Sequence, residues 1–260
     1  MKKLIRKMDI FQKRNFKTIN RLTIVVVIIV FIAGLFWYFK LNLFFSDRYD
    51  WYMYMSFKYT NLDSEKSMEY ANKAIELNPE KPEGYYRKIR IFTALEKYEQ
   101  VEIWLDDFKK RFPELLPYYY WRMGLIRLNQ NTLNASREYF EEGVKSLNNE
   151  KDIFLSFYYV GLGIIDLKNR NFEEALGYFN ESLLYVEYTD KSLFGIRESY
   201  NVEEIVEYNQ NLVTGYAHAG MGFAYQELGL NQKAQEEFEI AGEYDRDSFN
   251  YIQTLISQPT

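Results

Sequence analysis

Two hydrophobic rhythms divide the chain. From Leu22 to Phe39 it runs 18 residues without a charge, LTIVVVIIVFIAGLFWYF, roughly enough at 1.5 Å per residue to cross a hydrocarbon core of about 30 Å. This run predicts one transmembrane helix. Farther on, apolar residues fall at helical spacing and the spacing recurs: Ala74-Ile75-Glu76-Leu77-Asn78-Pro79 closes one segment, and Lys109-Lys110-Arg111-Phe112-Pro113 closes the next, 34 residues later. A period of that length holds two helices and their turns.

Within the period, a first helix opens with an aromatic residue, and a second carries a small, large, small row at i, i+4 and i+7, which lie on one helical face. Tyr159-x-x-Leu162-Gly163 is followed by Phe172, Ala175, Phe179 and Ser182; Met221-Gly222-x-x-Tyr225 by Gly229, Ala234, Phe238 and Ala241; and Tyr120-x-x-Met123-Gly124 by Ser136, Phe140 and Gly143. Segments from Trp51 to Pro79 and from Tyr85 to Pro113 follow the pattern more loosely. The small residues let two helices approach closely and a ring fills the hole opposite. On these residues the chain resembles the tetratricopeptide repeat family, over about residues 48 to 247. It departs from the family where Lys58, Phe92, Arg127 and Asp166 stand near the tyrosine that ends the first helix, and where Ala71 and Leu105 replace the second-helix ring. The expected fold is all-α: one N-terminal transmembrane helix, then a helix-turn-helix solenoid of about five repeats. No single repeat buries its apolar face alone, so the stack is the folding unit.

The expected order is a basic cytoplasmic leader (1–21), the membrane span (22–39), a short linker (40–47), the repeats (48–247) with an insertion at about 188–214, and a C-terminal capping helix and tail (248–260). Lys2, Lys3, Arg6, Lys7, Lys13, Arg14, Lys17 and Arg21 face the single acid Asp9 in the leader, a bias that keeps the N-terminus in the cytoplasm and carries the repeats across the membrane. The bulky exit Trp37-Tyr38-Phe39-Lys40 offers no small-x-small cleavage site, which argues against a removed signal peptide. Asn201-x-x-Glu204 reads as a helix N-cap with a reciprocal glutamate. The apolar series after it predicts that the fifth repeat's first helix starts near Val202, with a bend at Gly215.

Composition narrows the function. Beyond the leader remain 24 basic and 36 acidic residues, a net charge of about −12, which disfavours nucleic acid because phosphate binding runs on Lys and Arg. With no cysteine there is no thiolate metal site, thiol nucleophile or lipidated cysteine. The lone His218 has no second metal-ligating partner in sequence, pairs such as Glu141-Glu142, Glu173-Glu174 and Glu236-Glu237 read as solvated outer faces, and no phosphate loop occurs. No catalytic residue, metal or cofactor is expected, and the chain reads as a binding protein rather than an enzyme. Abundant Asn, Lys, Ile, Tyr and Phe with five prolines looks like an AT-rich bacterial genome, which places the repeats in the periplasm or at the outer surface of the inner membrane.

The resemblance implies a concave groove lined by first helices. Its fixed offsets select Tyr52, Ser56 and Tyr59; Tyr86, Arg90 and Thr93; Trp121, Leu125 and Leu128; Val160, Ile164 and Leu167; and Ala219, Phe223 and Gln226. Those residues either line an apolar groove for a hydrophobic peptide or pack against neighbouring helices, and both readings stand at this point. Tyr52 and Ser56 occupy the places of the first Lys and Asn of the family's carboxylate clamp, so that clamp is missing, while Arg87, Arg90 and Arg122 suit an acidic partner. The expected role is a membrane-tethered scaffold or assembly factor of a bacterial envelope complex, by analogy with repeat proteins that collar a periplasmic flagellar motor. A homo-oligomer within a larger assembly is compatible with it. The alternative is an accessory periplasmic chaperone near the secretion pore.

Overall fold

The computed structural model describes residues 28–34, 48–60, 62–148, 150–188 and 202–257, apart from the side chains of 202–205. Its contacts divide the chain into residues 1–51 and 52–260. In the first unit, residues 28–34 are helical and exposed throughout, with Ile28, Ile29, Val30, Phe31 and Ile32 presenting bare apolar side chains. The rest of the expected span, the basic leader and the linker lie outside the described residues. Among the described residues no helix is long and apolar enough to cross a membrane.

The second unit is a stack of antiparallel helix pairs: α1 (Arg48–Tyr59, whose first turn belongs to the other unit) with α2 (Ser64–Leu77), α3 (Pro82–Ala94) with α4 (Tyr98–Arg111), α5 (Leu116–Asn129) with α6 (Leu133–Ser146), α7 (Ile153–Lys168) with α8 (Phe172–Leu183), and α9 (Val202–Glu227) with α10 (Asn231–Tyr244); a single helix, α11 (Ser248–Ser257), follows. This is a tetratricopeptide-like arrangement. The helix ends follow local chemistry. The Asp63 and Asp152 carboxylates accept from the Lys66 and Phe154 amides at 3.0 and 2.7 Å, filling donors that a helix start leaves open. Pro82 and Pro117 sit in first turns, where no amide is needed. Four of the turns inside pairs pass through a left-handed residue, namely Glu96, Asn131, Arg170 and Gly229. At each, the amide of the following residue bonds back across the helix end: Lys97 to Phe92, Thr132 to Arg127, Asn171 to Asp166 and Leu230 to Tyr225. Only Gly229 adopts that conformation without a Cβ penalty.

Rings seated against glycines hold the pairs together. Phe140 of α6 is fully buried, and a Cβ at Gly124 of its own first helix or at Gly161 of the next would fall less than 3.0 Å from its ring. Phe179 of α8 is held the same way between Gly163 and Gly220, and Phe238 meets Gly222. Each shared ring joins two repeats, so neighbours are coupled through close packing rather than through a flexible seam. The looser repeats solve the problem differently. Ser67, Ala71 and Ala74 of α2 are wholly buried with no ring among them, and in α4 the row Val101, Leu105 and Phe108 moves the ring one position along. Phe108 then packs on Tyr86 and Tyr118, with centroids 5.0 and 5.5 Å away.

The departures near the first-helix tyrosine carry inter-repeat polar links. Arg127 of α5 meets Glu102 of α4 through two parallel hydrogen bonds, both 2.8 Å, a fork that fits guanidinium to carboxylate. Asp166 of α7 is buried and accepts from Arg137 of α6 at 2.7 Å and from the Asn171 amide side chain at 3.1 Å. Losing Arg137 strands a buried carboxylate, which costs about 3 kcal/mol or more. Arg87 of α3, also buried, donates to the Ser56 hydroxyl at 3.1 Å and carbonyl at 2.9 Å. Family consensus would put a ring at two of these places; here charge does the joining.

The glycine seats make a stability test with an internal control. Gly161→Ala forces a methyl group into the Phe140 ring and is expected to lower the unfolding free energy by about 2 kcal/mol. Gly177→Ala, on α8 where a Cβ meets nothing within 4 Å, is expected to raise it by about 0.5 to 1 kcal/mol through helix propensity. Denaturant unfolding of both variants checks the pair.

Candidate partner-binding face

The first helices contribute one face, and the structure gives the residues expected there different fates. Tyr52 and Tyr59 pack on Tyr70 of the same repeat, with centroids 6.1 and 5.8 Å apart, and the Lys66 and Lys73 ammonium groups lie over those rings. Ser56 is buried in the Arg87 link just described. Tyr86, Leu128, Val160, Ile164, Leu167, Ala219 and Phe223 are all buried. At these positions the side chains are enclosed among the helices, the packed one of the two arrangements that the offsets allowed. Trp121 and Leu125 are half-buried, while Arg90 and Gln226 are exposed. The continuous α-helix through Gly215 also shows no break there; a Cβ at Gly215 would instead collide with Ser248 at the start of α11.

At Phe223 the covering element is α11. It packs on α10 and also folds over the first helices α7 and α9. Ile252 and Leu255 are completely enclosed. Phe249 lies 5.0 Å from Phe223 and 4.9 Å from Phe238, and Tyr251 stacks on Tyr216 at 4.7 Å. The Lys168 ammonium, at the end of α7, donates to the Leu255 carbonyl at 2.7 Å, satisfying a last-turn acceptor with a cation. Burial pushes the Lys168 pKa down. A helix expected to cap the stack thus covers part of the face expected to bind.

What stays open lies on α3 and α5. Arg90 is exposed and makes no hydrogen bond or ion pair with the described residues. Tyr86, Arg90 and Thr93 share one face of α3 by spacing, as do Tyr118, Arg122 and Leu125 of α5. The Arg122 guanidinium donates to the Thr93 hydroxyl at 3.0 Å and lies 5.3 Å from the Trp121 ring centroid. Trp121 is wedged against Phe157 and Phe154 of α7, at 4.6 and 5.9 Å. Beneath the arginines, the rings of Tyr86 and Tyr118 are 4.3 Å apart, and their buried hydroxyls find no hydrogen-bond partner. Burial pushes the Tyr118 phenol up, against the pull of Arg122 and Arg90, which places both cations within electrostatic reach of it. Two guanidiniums, a half-open indole and two unsatisfied phenols form a strip suited to carboxylates and carbonyls.

Elsewhere the polar groups read as structure. His218 is half-buried, pairs through Nδ1 with Glu237 at 2.6 Å and lies parallel to the Tyr244 ring. Glu237 is consequently no solvated outer-face acid, unlike the exposed Glu141, Glu142, Glu173, Glu174 and Glu236. Among the described residues no group of three acids or histidines is placed to hold a metal ion. Sequence offsets pointed to Arg90 and Trp121, but missed the Tyr118 hydroxyl and the role of α11. The Tyr118-Tyr119-Tyr120-Trp121 run is the signal that pointed toward the first of these. From the expected insertion, only its first residue and the helical residues from 202 are described; the Tyr188 carbonyl accepts from the Ile153 amide at 2.9 Å.

No protein-family model matches the chain, and no curated protein matches it. Among solved structures it is similar to the crystal structure of the APC/C hetero-tetramer Cut9-Hcn1, with a TM-score of 0.44 and 11% identity over 84% of this chain and 47% of that one. This chain spans about half the length of that one, and so slight a likeness bears on neither partner nor role.

The α11 contact has a pH signature. Burial pushes the Tyr251 phenol up to about 12 from the ordinary 10.0, so the folded state favours the protonated ring. Its contribution is complete below pH 10 and is lost as pH rises toward 12. Melting temperatures measured from pH 9 to about 12 are expected to fall across that window, and Tyr251→Phe to fall less steeply than wild type.

Proposed function

We propose that this chain is a protein-interaction scaffold tethered to a bacterial inner membrane, and that its partner presents an acidic segment to the α3–α5 strip. The observation that carries the reading is Arg90, exposed and unpaired among the described residues, beside Arg122 and above two buried hydroxyls that lack partners. The exposed Arg90 guanidinium, beside Arg122, offers a partner's carboxylates planar, charge-assisted hydrogen bonds. Truncated or mispaired arginines in such sites are common points of lost affinity. A stack of helix pairs with no nucleophile–base constellation in view offers surface rather than reactivity, although the fold by itself does not assign a role.

The tether comes from the sequence: an uncharged run over residues 22–39 preceded by eight bases and one acid supports a single span with the repeats outside the cytoplasm. An assembly factor for an envelope complex fits a binding unit kept within a few residues of the bilayer by the linker at 40–47. In this setting the acidic body of the chain, about −12 beyond the leader, makes a basic strip the point of attraction for an acidic segment.

A photo-crosslinking residue at position 90 of the full chain, activated in intact cells, is expected to give one or a few stoichiometric adducts. The same residue at exposed Glu239 is expected to give none of them. With the crosslinking residue at position 90, Arg122→Glu is expected to reduce their recovery at least tenfold without changing helicity. Many weak, unrelated adducts favour the chaperone-like alternative, and adduct patterns identical at positions 90 and 239 contradict the strip.

A further inference from the structure

We propose that α11 is a displaceable resident of the first-helix face, holding the α7–α9 half closed against an amphipathic partner helix that carries apolar residues at the spacing of Phe249, Ile252 and Leu255–Ile256. The inference rests on the preceding reading only in requiring a protein partner, and it concerns the other half of the face.

Four observations carry it. First, α11 lies where an external ligand would lie: it reaches past the last pair onto α7, where Lys168 holds its C-terminal end through the Leu255 carbonyl. A helix that only capped the stack would need α9 and α10 alone. Second, its buried positions, Ser248, Ile252 and Leu255 with Phe249 and Ile256 alongside, follow the i, i+4, i+7 pattern by which a helix lays one face in a groove. The receiving surface is thereby shown to fit a helix. Third, α11 has 10 residues and no charged side chain, well below the roughly 12 to 15 residues at which isolated helices become even marginally stable in water. Its helicity therefore depends on docking, and undocking means local unfolding of one short element. Fourth, only Asp245, Arg246 and Asp247 join it to α10, so it leaves without disturbing the paired helices, whose rings are seated against glycines.

The occupant committed to is a helix from another protein, because a competitor must offer what α11 offers: an aromatic residue for the Phe223–Phe238 corner, two aliphatic residues for the floor of α7 and α9, and a helix C-terminus for Lys168. As long as α11 is docked, the apparent affinity for such a helix is reduced by the fraction of molecules that are open.

The test uses the full chain and a fluorescent synthetic peptide of residues 246–257. Ile252→Asp with Leu255→Asp expels the resident helix. The variant is expected to bind the peptide at least tenfold more tightly than wild type, whose site is occupied, while losing helicity only by the amount α11 contributes. In wild type, hydrogen exchange is expected to run at least tenfold faster in α11 than in α7. Arg90→Glu is expected to leave peptide binding unchanged, which separates this site from the α3–α5 strip. A folded double variant that does not bind the peptide overturns the proposal. So does exchange in wild-type α11 as slow as in α7, a measurement that decides the matter even if the double variant does not fold.

Discussion

A phenyl ring pressed into a seat without side chains is the contact on which the rest of the stack depends. Phe140 touches glycine positions on two successive first helices, and Phe179 does the same one repeat later. Because each ring is shared, neither helix pair is a finished unit: the wall that encloses the ring of one repeat is supplied by the next. The Phe140 seat also sets the distance between α5 and α7, and thereby brings Trp121 to Phe157 of α7. Where the ring is missing, in α2, or displaced to Phe108, in α4, charged and hydroxyl groups take up the joining: Arg87 with Ser56 and Arg127 with Glu102. Those two links and the strip of Arg90 and Arg122 fall in the same N-terminal part of the second unit, while Arg137 and Asp166 join the repeats that the Phe140 ring also joins.

That distribution gives the first-helix face two characters. Over α7 and α9 it is apolar and packed by α11; over α3 and α5 it is cationic and partly aromatic, with Arg90 exposed and Arg122 within electrostatic reach of Tyr251 in α11. Glycine seating explains the difference in part. Phe179 is enclosed between Gly163 and Gly220, so the first helices above it lie close and present a short apolar floor that α11 fills. Between α3 and α5 the packing rings are tyrosines, whose hydroxyls stay unsatisfied, and a covering helix of aliphatic residues would leave them so. What suits that surface to a segment rich in oxygen acceptors is the exposed Arg90 beside Arg122.

The small, large, small rows were legible because they are local: Ser136, Phe140 and Gly143, or Ala175, Phe179 and Ser182, declare their spacing within a single helix. Gly124, Gly163 and Gly222 were legible for the same reason. Gly161 and Gly220 were not, since the ring that requires each belongs to the preceding repeat. Of the residues that the offsets picked, Arg90 is exposed and Trp121 half-buried. The offsets had no means of registering that Val160 and Ile164 are buried or that Phe223 packs on Phe249 of α11, because what covers a face is a tertiary fact that no periodicity encodes. Asp166 looked like a lapse from the repeat pattern; its meaning appears only with Arg137 and Asn171 around it.

The shared ring is the claim on which the account turns, and a double-mutant cycle between Phe140 and Gly161 measures it. If the ring occupies the glycine seat, Phe140→Leu shortens the group that a new methyl at position 161 would strike, so the double variant Phe140→Leu/Gly161→Ala is expected to be more stable than the sum of the single losses by about 1 kcal/mol or more. Single losses that add to within about 0.5 kcal/mol would contradict it, because residues that do not share a contact have no reason to compensate one another.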